Sequence, residues 1–135
     1  MTYKDLLELI ENLNQSIVAK SYKKDNQEQE TKIVAKLRKI YEKVKPHHEN
    51  YEKHLEELRI DNASVDDKGV LLKDDKGGYK FGKDGLKSLM NQTRDLLEKE
   101  FSFEKINVVN PAGLEEFNYL NKWVSGVTFK AEEEL

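Results

Sequence analysis

Between Lys32 and Ile60 the apolar or ring-bearing positions fall at Ile33, Leu37, Ile40, Val44, His47, Tyr51, His54 and Leu58, in alternating steps of 4 and 3. That spacing is a heptad seam of the a/d kind and predicts one long helix. A second seam runs through Tyr3, Leu6, Ile10, Leu13 and Ile17, widened by Leu7, Leu9 and Val18. It predicts a helix from about residue 3 to 22, with Thr2 as N-cap and Asp5 three residues later. The polar run from Asp25 to Glu30 is short enough to turn the chain back, so the seams are expected to zip into an antiparallel hairpin. At 1.5 Å per residue the helices would measure about 30 and 45 Å, leaving the distal half of the second without a partner from the first. Pro46 falls inside that helix and removes one backbone donor, at about 3 kcal/mol in a regular interior. The seam keeps phase across it, which predicts one kinked helix.

After Ile60 the pattern changes. Asp61 to Gly69 is turn chemistry, and Val70–Lys73 and Tyr79–Phe81 flank the loop Asp74–Gly78 as a small β-hairpin would. Asp84 is a candidate cap for a helix with the face Leu86, Leu89, Met90, Thr93, Leu96 and Leu97, ending near Glu100. Phe101–Val109, rich in aromatic and β-branched residues, predicts a strand. Asn110-Pro111 opens a last helix through Leu114, Phe117, Leu120 and Val124, stopping at Ser125-Gly126. Val127–Phe129 is a short strand or docked tail, and no repeat longer than the heptad stands out. The expected fold is α+β and predominantly helical. An N-terminal antiparallel helical hairpin with a long kinked second helix (1–60) precedes a small β-hairpin–helix–strand–helix unit (61–130). An acidic frayed tail follows (131–135).

Composition narrows the function classes. Charged residues make up 36% of the 135, and the net charge is −3, divided as +1 over residues 1–60 and −4 over 61–135. Neither half has the basic excess that pulls a domain onto a phosphate backbone. The chain has no cysteine, which excludes disulfides, thiolate metal sites and thiol nucleophiles. No apolar run approaches the roughly 20 residues of a membrane span, and the N-terminus lacks a signal-peptide layout. The expected location is the cytoplasm.

Three histidines are the candidates for metal or acid–base chemistry. His47 and His54 lie seven apart on the seam, and His48 faces Glu52 one turn on. Zinc needs three or four converging ligands, so the seam histidines are expected to be partly buried residues that set pairing. The aspartates at 61, 66, 67, 74 and 75 do not fit a calcium loop: Ala63 and Leu72 stand where it needs acidic groups. The glycines at 77, 78, 82 and 85 make no phosphate-loop pattern. Lys32, Lys36, Lys39 and Lys43 form a basic stripe one residue out of phase with the seam. It would either contact phosphates or pair with acidic residues of the first helix such as Glu8 and Glu11 while its stems cover the seam. With no aromatic interleaved, nucleic acid is the lesser expectation, and no metal or cofactor is expected.

The order of elements past residue 45 resembles that of small proteins of unknown function encoded in tailed-bacteriophage and prophage genomes. The likeness rests on a charged helix with Tyr51, Leu55 and Leu58, and on the turn Asp66-Asp67-Lys68-Gly69. The hairpin Gly78-Tyr79-Lys80-Phe81, the helix closing on Leu96-Leu97-Glu98-Lys99-Glu100 and the ending Leu120 with Val124-Ser125-Gly126-Val127 complete it. It covers about residues 45–129 as a layout and brings no catalytic residues. It implies a viral, non-enzymatic role: a protein–protein interaction or assembly protein, homo-oligomeric or virion-associated. A small inhibitor of a host defence or regulatory protein is the alternative, and a nucleic-acid accessory protein the third reading. The expected contact residues are Tyr51, His47, His54, Leu55 and Leu58.

Overall fold

A computed structural model describes residues 1–20, 22–24, 27–29, 31–108, 120 and 122–125. The described chain is predominantly helical. Helix α1 spans Tyr3–Lys20, α2 Lys32–Asn62 and α3 Lys83–Glu98. Four short strands accompany them: β1 (Tyr22–Lys24), β2 (Gln27–Gln29), β3 (Ile106–Asn107) and β4 (Val124–Ser125). Helix α2 is continuous through Pro46. The contacts divide the chain into two compact units. One joins Asp5–Pro46 to the described residues from Ser102 onward, and the other joins Thr2–Lys4 to His47–Phe101.

In the first unit, α1 leads into β1, which pairs antiparallel with β2 with Tyr22 opposite Gln29 and Lys24 opposite Gln27. The chain thus reverses through a two-stranded ribbon, where the polar run alone predicted a plain turn. Thr31 then starts α2: its hydroxyl accepts the Val34 N–H at 3.2 Å, and its carbonyl accepts the Ala35 N–H. That satisfies donors a helix start leaves orphaned. Leu6, Leu9 and Leu13 of α1 and Val34, Leu37, Ile40 and Val44 of α2 are fully buried, together with Leu120. Each contributes about 1.5–3 kcal/mol by leaving water. Strand β3 pairs parallel with β4, Ile106 opposite Val124, and the Ile106 N–H donates to the Trp123 carbonyl. Two expectations are corrected here. Of the expected strand Phe101–Val109 the described residues form strand at Ile106–Asn107 alone, with Val109 outside them, and Val124 lies in a strand instead of closing a helix. The start of that predicted helix and the segment Val127–Phe129 lie outside the described residues, as does the tail 131–135.

In the second unit, the ring of Tyr3 lies 5.4 Å from that of Tyr51 and 4.8 Å from that of Phe101, while His47 stacks on Phe101 at 5.0 Å. These aromatic contacts join three segments remote in sequence, and a bridge between Thr2 and Glu100 ties two of the same segments together. Residues 63–81 form no extended ladder: isolated antiparallel bridges pair Val65 with Leu71 and Lys73 with Tyr79, the second within the expected hairpin. Ser64, Leu72 and Lys80 instead close a cycle of backbone bonds: Leu72 N–H to Ser64 O, Lys80 N–H to Leu72 O, and Ser64 N–H to Lys80 O, at 2.8–3.0 Å. The spacing is eight residues, and an eight-residue repeat underlies it. Asp66-Asp67-Lys68-Gly69 recurs as Asp74-Asp75-Lys76-Gly77, a repeat beyond the heptad that the hydrophobic pattern hides. Each leading aspartate accepts two backbone N–H groups, Asp66 from Lys68 and Val70, Asp74 from Lys76 and Gly78. The glycine three residues on carries φ of 80° or 81°, open to glycine at no steric cost. Three short stretches meeting in a ring leave no room for a long ladder.

Helix α3 begins at Lys83 behind an extended Gly82 that offers no side-chain cap. Asp84, expected as the cap, sits in the first turn, where its charge complements the helix dipole.

Candidate functional site

Helix α3 carries its apolar face on Leu86, Leu89, Met90, Thr93, Leu96 and Leu97, and it meets the end of α2 along one edge of that face. Gly85 lies so close to the Asn62 carbonyl that a Cβ there would collide with it. The Asn62 side-chain amide donates to Gln92 Oε1 at 2.6 Å and to the Leu58 carbonyl at 2.8 Å. Leu96 is the buried residue of α3. Gly85, Gln92 and Leu96 recur at steps of 7 and 4, a line at one edge of that face. Away from that edge Leu86 is 47% exposed and Met90, one turn on, 61%, while Leu89, Thr93 and Leu97 are half-buried. Ile60, Val65, Val70 and Leu72 of the same unit are exposed too.

Beside it, α2 and α3 bound an open groove of about 550 Å³. Leu58 and Leu96 are its apolar residues. Glu57, Asp61, Asp95 and Glu98 contribute four carboxylates, against His54 and Lys99. On the far side of α2 the Tyr79 hydroxyl donates to Glu56 Oε1 at 2.6 Å, and the Glu56 carboxylate also meets Arg59 at 3.6 Å. The hydrogen bond to Glu56 raises the Tyr79 phenol above its ordinary 10. Burial raises that of Tyr51, with the neighbouring Glu52 charge adding to it.

The structure separates the residues that heptad spacing grouped. Tyr51, 6% exposed, lies inside the second unit. His47 is half-buried against Phe101, and Leu55 and Leu58 are half-buried. His54, expected to be partly buried on the seam, is exposed at the groove. His48 does approach Glu52, at 3.5 Å. Among the described residues no group of three or more metal-ligating side chains converges, and no helix is long and apolar enough to cross a membrane.

The lysine stripe divides as well. Lys36, Lys39 and Lys43 line one cavity in the first unit, while Lys32 is exposed outside it. The expected pairing with Glu8 and Glu11 does not form: among the described residues these three lysines make no ion pair, and Glu11 accepts from Gln15 instead. Sequence reasoning did not single out Leu86 and Met90 as exposed, because a stripe of that width reads as core until its neighbours are placed. Comparison with protein-family models, with curated proteins and with solved structures finds no match.

Proposed function

We propose that this chain is a non-enzymatic assembly protein of α+β type that pairs with a second copy of itself through α3. The observation that carries the reading is the meeting of α3 with α2 along one edge of its apolar face. It leaves Leu86 and Met90 uncovered on a helix whose remaining apolar residues are at least half-buried. The layout's resemblance to small phage-encoded proteins supports a virion-related assembly, with the N-terminal helical hairpin as scaffold.

Light scattering across protein concentrations tests this. The native chain is expected to approach dimer mass, and Leu86→Asp with Met90→Asp to remain monomeric with an unchanged helical signal, since both side chains are exposed. A native chain that stays monomeric into the high micromolar range would remove the proposal. A second reading has its own observation, the four carboxylates of the α2–α3 groove. They suit a basic partner, as a host-directed inhibitor would need. Asp95→Lys with Glu98→Lys would then abolish capture of a host protein that the α3 double variant still binds.

A further inference from the structure

We propose that the cavity between α2 and β3 is a binding site for a small molecule carrying two or three linked phosphates. The cavity holds about 370 Å³ and is lined by Lys36, Lys39 and Lys43, with Glu42, Ile106, Asn107 and Val108. A space of that size is in the range of small-ligand sites. All of these residues belong to the first unit.

Three lysines lining one cavity bring like charges near one another, and folded proteins ordinarily relieve this with neighbouring carboxylates. Here the relief is partial. The described residues give Lys36, Lys39 and Lys43 no ion-pair partner, and Glu42 is the one acidic group lining the cavity. Lys36 is half-buried, whereas Lys39 and Lys43 are exposed. The described lining residues therefore carry a net charge of +2, which is complementary to a multivalent anion.

The spacing narrows the ligand further. The lysines stand at i, i+3 and i+7 on one helix, about 4.5 and 6 Å apart along its axis. A row of that length suits a short chain of anionic groups better than a single carboxylate or sulfate. Lysine binds phosphate as a mobile point charge, without the planar fork that carboxylate pairing favours. Ile106, 6% exposed, and Val108 give the cavity an apolar wall, against which a nucleoside attached to the phosphates would pack. Among the described residues no aromatic ring lines the cavity, so these residues offer no stacking platform of the kind single-stranded nucleic acids use. A nucleoside triphosphate is the matching class.

Titration calorimetry of the full chain at about 0.15 M ionic strength tests this with three probes: adenosine triphosphate, inorganic tripolyphosphate and a single-stranded oligonucleotide. Saturable binding of the nucleotide is expected, with tripolyphosphate weaker because it lacks the part that meets Ile106 and Val108. Lys36→Gln with Lys43→Gln should weaken the nucleotide at least about tenfold, on the scale of two lost charge-assisted contacts. Glu42→Gln should tighten it severalfold. Lys68→Gln with Lys76→Gln, in the turns of the other unit, should leave it unchanged. Absence of saturable nucleotide binding overturns the proposal. So does equal weakening by the two lysine pairs, which would mark diffuse charge, and so does a clear preference for the oligonucleotide. Tripolyphosphate equal to the nucleotide would overturn the nucleoside assignment. The helical signal of each variant checks that a loss of binding is not a loss of fold.

Discussion

Truncating Leu37 tests the structure where it is most committed. Its side chain is 0% exposed in a layer with Val34, Ile40 and Val44 of α2 and Leu6, Leu9 and Leu13 of α1. Leu37→Ala removes the transfer free energy of the lost carbons and leaves a void that large, branched neighbours cannot fill without shifting. Such truncations cost about 2–5 kcal/mol, and full burial among leucines argues for about 3. At this chain length each kcal/mol moves the thermal midpoint by about 3–5 °C, so a fall of roughly 10 °C or more is expected. Two companions give the number meaning. Leu58→Ala, at a half-buried position on the same helix, should cost about 1 kcal/mol. Val18→Ala, at a site 76% exposed, should stay within about 0.5 kcal/mol. Urea unfolding with an unchanged slope would confirm that stability, and not the denatured state, has changed. A midpoint for Leu37→Ala indistinguishable from that of Val18→Ala would refute the assigned core. Equal losses at Leu37 and Leu58 would refute the fading of burial along α2.

Two further outcomes follow from single contacts. Gly85→Ala places a methyl group against the Asn62 carbonyl, and should cost about 1–3 kcal/mol by overpacking. Amide exchange in α3 reads the effect, and unchanged protection would show that the two helix ends are not in contact. The Tyr79 phenol is held protonated by its bond to Glu56. A raised folded-state value means its stabilisation is fully present below the ordinary 10 and is lost as pH climbs through the raised value. Difference titration of phenolate absorbance against Tyr79→Phe should show that shift, and Glu56→Gln should reduce it; a phenol titrating at the ordinary value in the native chain would refute the bond.

The two heptad seams were legible from residue order alone. Leu6, Leu13, Leu37, Ile40 and Val44 are all buried, because a period of 3.5 in apolar side chains has few folded outcomes other than a packed helix. The helix limits were legible within about two residues for the same reason. The aspartate–glycine turns were legible as turns, since Gly69 and Gly77 do adopt positive φ. Their eight-residue repeat was also present in the sequence, but it is polar and escapes any search for apolar period. What the sequence could not decide is where each seam stops being covered. Whether His54 is buried depends on how far α1 reaches along α2, and α1 has 18 residues against 31. Whether Leu86 and Met90 are core depends on which line of α3 meets Asn62, and the small side chain of Gly85 selects a line at one edge of the apolar face. The convergence of three lysines on one cavity depends on a strand more than sixty residues away. Periodicity is a property of one segment, whereas coverage is a property of two, and only the tertiary structure supplies the second.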